Sequence, residues 1–240
     1  MRRRRAIVIL CTAQAAAPVA HAYRPFEGTD ADVAEIGELE LEVGPLQASW
    51  AHGHATFVPS GVYNQGIAPG YELVVDVDGL VPLGAAPGDA LLASDVLVKH
   101  VLRAGSLQDR SGPSVALETG VLLPDAPARG SEAGWVASLI ASQRFDAFTV
   151  HLNASGSVRA RAFAGFASAI VEGPGAWPVR PVGELLVARD ADGGRAGSAL
   201  VGAIWRAGKD LAIDTAIVGE REQGSTTVEL RLGFTWAMEI

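Results

Sequence analysis

The sequence predicts an all-β fold, a closed antiparallel transmembrane β-barrel of about 12 strands. Three observations carry this reading. The last stretch, Thr226–Ile240, alternates apolar and polar residues without a break. Runs of the same character recur through the chain, parted by Gly, Pro, Asp and Ser clusters. Mean hydropathy is high, +0.23, yet after the first residues no apolar run approaches the ~18–20 residues that a membrane helix needs. Strands with one apolar face reconcile a greasy composition with the absence of a helical span.

In the final stretch Val228, Leu230, Leu232, Phe234, Trp236, Met238 and Ile240 take every second position. Glu229, Arg231, Gly233, Thr235, Ala237 and Glu239 lie between them. Successive strand residues point to opposite faces, so one face is wholly apolar and the other small or charged. About 9–11 tilted residues cross a bilayer core, and this segment is long enough. A terminal strand of this kind also implies a partner, the machinery that assembles such barrels.

The opposite terminus reads as an export signal. Arg2–Arg5, the apolar run Ala6–Cys11 and Ala20-His21-Ala22 form a positive region, a short apolar region and a small-x-small cleavage site. The expected organisation is a signal peptide over 1–22, a loosely held periplasmic arm over 23–35 and a barrel domain over 36–240, placed in the outer membrane. Cys11 leaves with the signal, so the exported chain has no disulfide, and burial or sheet closure must stabilise it. Cleavage leaves 15 basic against 27 acidic residues, a net charge of −12. So acidic a chain lacks the basic clusters of nucleic-acid binders.

In chain order, Glu38–Leu46 opens the wall, with Leu39, Leu41 and Val43 on one face and Glu38, Glu40 and Glu42 on the other. Strands are predicted next at Ala55–Gln65, Tyr71–Val81, Ala93–Leu102, Ser114–Leu123, Gly134–Arg144 and Phe148–Ser157. Ala164–Glu172, whose alanine-rich text also suits a short helix, comes next, then Val179–Arg189, Ser198–Arg206, Leu211–Val218 and Thr226–Ile240. If the N-terminus starts in the periplasm, turns on that side should be short and those on the other longer. Gly66–Gly70, Phe145–Ala147 and Ala207–Asp210 read as the short ones. Pro82–Leu92, Pro124–Ala133, Asp190–Gly197 and Gly219–Ser225 read as the long ones, and Ala104–Pro113 is the exception. Tyr63, Tyr71, Phe145, Phe148, Trp205 and Trp236 fall near the short turns and are expected to form an interfacial aromatic girdle. Trp50 and Trp135 are expected on the opposite rim.

Charged residues at mid-depth cost about 2–4 kcal/mol when they face lipid as Arg or Lys, so the polar rows should face the lumen. Candidates are Glu38, Glu40, Glu42, Asp76, Lys99, Glu118, His151, Asn153, Glu184, Asp214, Glu229 and Arg231. Glu72, Asp78, Asp95, Ser114 and Thr149 share the same pattern. Arg231, beside Glu229, is expected to form an ion-pair network with Glu184 and Glu118 that plugs the pore as readily as it lines it.

The text resembles the outer-membrane transporter family associated with aromatic degradation, the phenol MetA-pathway family. The likeness begins at Arg24-Pro25-Phe26, Thr29-Asp30 and the Gly37–Gly44 strand, and returns in Gly105-Ser106-Leu107-Gln108 and Ser111-Gly112-Pro113-Ser114. It continues in Glu118–Pro124, Ser142-Gln143-Arg144-Phe145, Pro178–Leu185 and Val201–Trp205. The resemblance implies an antiparallel outer-membrane barrel that transports aromatic or other hydrophobic compounds.

Other chemistry is weakly written. His52-Gly53-His54 lacks a third metal ligand. Asp76-x-Asp78-Gly79 and Asp190-x-Asp192-Gly193 lack the glutamate that completes a calcium loop. His151 with Ser155 is the one Ser–His pairing worth stating, and no Gly-x-Ser-x-Gly turn is present. The expectation is therefore a non-enzymatic barrel without cofactor. It would contact outer-membrane lipid and pass small, hydrophobic solutes through a narrow or partly occluded conduit. The alternatives are a soluble periplasmic ligand-binding β-protein and a structural barrel without transport.

Overall fold

The computed structural model describes residues 24–84, 89–127 and 131–240; the expected signal peptide lies outside them. The chain forms one antiparallel sheet of β1 (Glu38–Ala51), β2 (His54–Phe57), β3 (Ser60–Ala68), β4 (Tyr71–Leu83), β5 (Leu91–Arg103) and β6 (Ser114–Leu122). It continues through β7 (Gly134–Arg144), β8 (Thr149–Arg159), β9 (Ala162–Glu172), β10 (Val179–Arg189), β11 (Arg195–Arg206), β12 (Leu211–Glu222) and β13 (Ser225–Glu239). β2 and β3 occupy one position between β1 and β4, so the wall has twelve strand positions. β13 pairs with β1 from Glu38↔Glu239 to Trp50↔Val228, which closes the barrel and leaves no open edge.

The break between β2 and β3 has a local cause. Pro59 has no N–H for the ladder, and the neighbouring β1 slips register between Val43 and Leu46, across Gly44-Pro45. β4 accommodates the break with Gly79, whose amide donates to Pro59 O at 2.8 Å. Ala164–Glu172, the segment with helical text, is strand β9, because both its neighbours supply ladder partners.

The wall is inverted relative to a soluble sandwich. Leu185 and Val201 are 66% and 68% exposed, and Leu230, Leu232 and Trp236 are exposed as well. Glu42, Glu72, Lys99 and Asp214 are each only 1% exposed, on the interior rows. Because the period is two, an unbroken strand presents alternate residues to lipid along its length, while β10–β12 also turn Val182, Leu200, Ile204 and Val218 inward.

Turn lengths depart from expectation. At the end opposite the start of β1 and the end of β13, β1–β2, β8–β9 and β12–β13 are joined by two-residue turns, His52-Gly53, Ala160-Arg161 and Gln223-Gly224. All six residues have positive φ, the primed-turn geometry whose twist matches the flanking strands. Gly219–Ser225 is thus mostly ladder rather than loop, and Asp190–Gly197 shrinks to 190–194. Pairing satisfies the backbone groups of Gly219 and Gly197, which outweighs the weak strand preference of glycine.

Candidate functional site, the threaded lumen

The expected loose arm is instead inside the barrel. Residues 24–36 run through the interior, where their backbone donors find side-chain acceptors on the wall. Arg24 N donates to Glu42 Oε2 (3.0 Å), and Glu27 N and Gly28 N donate to the two carboxylate oxygens of Glu184 (2.9 Å each). Thr29 N donates to Asn153 Oδ1 (3.1 Å), Ala31 N to Ser142 Oγ (2.9 Å) and Ala34 N to Glu72 Oε2 (2.6 Å). A non-helical segment that enters a closed barrel must satisfy its amides somewhere, and the inward carboxylates and amides do so.

Side chains add a second set of ties. Arg24 Nε lies 3.4 Å from Asp214, and its guanidinium donates to Ser60 Oγ at 2.5 Å. Arg231 donates to Pro25 O (2.6 Å) and pairs with both Glu27 and Glu229. Lys99 Nζ donates to Thr29 Oγ1 at 3.1 Å, with Asp30 and Glu72 each 3.9 Å away. Phe26 packs on an apolar cluster of Val182, Leu200, Ile204, Ala212, Ala216 and Val218 from β10–β12. Gly28 passes so close to the wall that an added Cβ would sit 2.6 Å from Asn153 Nδ2 and Ser168 Oγ.

The long connection 104–113, the exception to the turn pattern, is part of this arrangement. A 3-10 turn over Ser106–Gln108 follows Gly105, and Gln108 Nε2 reaches Ala31 O (3.1 Å) and Asp32 Oδ1 (2.8 Å). Ser114 Oγ donates to Gln108 Oε1 (2.7 Å), and Arg144 bridges to Asp109 at 3.2 Å. The loop is long because it braces the threaded segment where that segment nears β1.

The structure brings most candidate lumen residues onto interior rows but regroups them. Glu42, Lys99, Asn153, Glu184, Asp214 and Arg231 hold residues 24–36 directly. The expected network of Arg231 with Glu184 and Glu118 does not form. Glu184 is occupied by two plug amides, while Glu118 is the register partner of Lys99. Glu38 accepts from Glu35 N (2.9 Å), Glu40 is buried, and Asp76 lies opposite Asp95 in the β4–β5 ladder. His151 pairs with Ser142 (Oγ···Nδ1 2.8 Å) rather than Ser155, and its Nε2 lies 3.3 Å from Glu172, itself 3.0 Å from Arg180. Ser155 bonds Ser138 instead. The cross-strand register Ser142↔His151 overrides the same-strand spacing.

The aromatic residues Tyr71, Phe145, Phe148, Trp205 and Trp236 are exposed and lie toward the barrel end where β1 begins and β13 ends. Tyr63 is set further back, because β3 continues to Ala68, and its hydroxyl donates to Gln65 at 2.8 Å. Trp177, missed in the sequence because it sits in a loop, is exposed at the same end. His52-Gly53-His54 forms the β1–β2 turn, Asp76 and Asp78 are strand residues, and Asp190–Gly193 is a turn closed by Gly193 N→Asp190 O (2.9 Å).

The features together define a plugged twelve-strand barrel. Among solved structures, an outer membrane channel from Pseudomonas putida F1 superposes with a TM-score of 0.62 at 8% identity, over 89% of this chain and 100% of that one. The KdgM porin in complex with disordered oligogalacturonate gives 0.56 at 8% identity, over 82% and 98%. The KdgM porin alone gives 0.53 at 10% identity with the same coverage. At these identities the shared property is the barrel fold. No protein-family model matches the chain, and no curated protein matches it.

Proposed function

We propose that this barrel spans the outer membrane and forms a narrow, plugged conduit for small hydrophobic or aromatic compounds. The observation that carries the reading is the inverted wall, with apolar rows outward and ionisable rows enclosing the interior. Lipid requires this arrangement, because every backbone group must pair within a closed sheet and charges must turn away from acyl chains. The barrel folds of the solved channel and porins fit the same role. The exposed aromatics then serve as the interfacial girdle, and Trp50 and Trp135 face the other interface. The substrate class follows from the resemblance to the aromatic-degradation transporters and from the apolar lumen patch beneath Phe26.

Segment 24–36 sets the conductance, and an acidic lumen sets the selectivity. Asp76, Asp78, Asp95 and Glu118 lie on interior rows of β4–β6, and such a patch of carboxylates disfavours anions. Reconstitution into planar bilayers tests the reading, with small currents and cation preference at low salt as the expected result. Clear anion preference contradicts the selectivity, and a protein that stays out of the membrane fraction contradicts the whole proposal. Uptake of an aromatic panel into liposomes separates transport from the second reading, a structural barrel, which the dense bonding of the plug favours.

A further inference from the structure

Outside the lumen, the exterior wall carries a charge arrangement that the conduit does not use. Arg189, Arg195 and Arg221 end the outward rows of β10, β11 and β12 at the barrel end opposite the start of β1 and the end of β13. Their rows continue Leu185-Val187, Ala199-Gly197 and Ile217-Gly219. Arg189 and Arg195 are direct cross-strand partners, and Arg221, paired with Gly197, is diagonal to Arg195. All three are exposed. Like charges directly opposite on one sheet face repel, and in an acidic chain such a cluster is unexpected unless something anionic neutralises it.

Neighbouring carboxylates do not. Glu220 and Glu222 belong to the inward row of β12, while Asp190 and Asp192 lie in the 190–194 turn, where Asp192 Oδ1 accepts from Gly194 N at 2.9 Å. Among the described residues, no hydrogen bond or ion pair engages any of the three guanidiniums. At the opposite end four basic residues are engaged within the protein. Arg103 donates to Ser111 O and Pro113 O, Arg144 pairs with Asp109, Arg206 donates to Gly175 O, and Lys209 pairs with Asp210.

Directly beneath the arginines the wall is indented. An open depression of about 830 Å³ is bounded by Leu185, Val187, Gly197, Ala199, Gly219 and Arg221. Glycine and alanine at these outward positions leave room that leucine or valine would fill. Guanidinium groups match phosphate oxygens in bidentate geometry and are the common choice for such recognition. A cationic cluster at the rim over an apolar depression fits a molecule with a phosphorylated head and acyl tails.

We infer that Arg189, Arg195 and Arg221 bind the phosphates of an outer-leaflet phosphorylated glycolipid, with an acyl chain seated in the depression below. The inference rests on the reading of the barrel as membrane-spanning with this end toward the cell exterior. The test is native mass spectrometry of the full-length barrel in detergent, with bis-phosphorylated lipid A, phosphatidylethanolamine or inorganic phosphate added. The native barrel retains one lipid A, and R189Q/R195Q and R221Q each lower its occupancy about tenfold. Arg206→Gln at the other rim leaves it unchanged.

Equal retention by the native protein and the R189Q/R195Q variant overturns the inference, as does full competition by inorganic phosphate, which marks a free-anion site. Equal retention of phosphatidylethanolamine overturns the phosphate specificity. Fractionation of the same samples keeps the two readings apart. A barrel recovered in membranes that ignores lipid A sinks only this inference, whereas one recovered as a soluble protein sinks the conduit as well.

Discussion

The two sides of the lumen hold the same threaded segment by different physics. On the β4–β6 side, Glu72, Lys99 and Glu118 form a charged row, and Lys99 is tied to Thr29 and faces Asp30. On the β10–β12 side the interior is aliphatic and receives Phe26, with Glu184 as its main polar anchor. The polar ties, Glu184 among them, fix the register of the segment, because each carboxylate or amide suits particular backbone donors. The apolar contact of Phe26 supplies adhesion that is indifferent to small slips. A segment held in this way can shift along the aliphatic side once its polar ties are released.

Substitutions that remove one kind of tie sharpen this contrast. Lys99→Met should have the largest effect. It leaves Glu72 and Asp30 without their buried cation, and removing one partner of a buried pair costs about 3–5 kcal/mol. Heat-modified mobility of the detergent-solubilised barrel should show the loss, and an unchanged unfolding temperature would contradict the charged-side account. Glu184→Ala should come next. It strands the Glu27 and Gly28 amides, at about 1–3 kcal/mol for each unsatisfied donor. Hydrogen exchange should speed up at residues 27–28 in this variant, and unchanged protection would count against the anchor. Phe26→Ala should be the mildest, at about 1–2 kcal/mol, because the ring is only partly buried. Its expected signature is more frequent opening without loss of barrel stability; a destabilised barrel would mean the ring supports the wall rather than the plug.

Much of the wall was legible because its signal is local. Alternation in Thr226–Ile240 states which face is apolar, and closure follows from the need to hide edges. Strand ends were less legible. Gly197 and Gly219 read as loop residues, yet cross-strand partners carry the ladders through them.

The threaded segment was not legible at all. Nothing in Arg24–Ile36 alternates, and its amides are satisfied by acceptors such as Glu184, 157 positions away from Glu27. The clue was present in Gly28 and in the surplus of inward acceptors, but only the closed barrel brings them together. Likewise, the pairing of Ser142 with His151 depends on the β7–β8 register, which spacing along one strand does not reveal.

Single-channel conductance of the native barrel beside a variant lacking residues 24–36 tests the central claim most directly. Both should be refolded in the same detergent and measured in the same planar bilayer. Opening of the lumen predicts a several-fold larger, more cation-selective current in the shortened protein. Equal currents from the two barrels would mean that these residues do not close the pore.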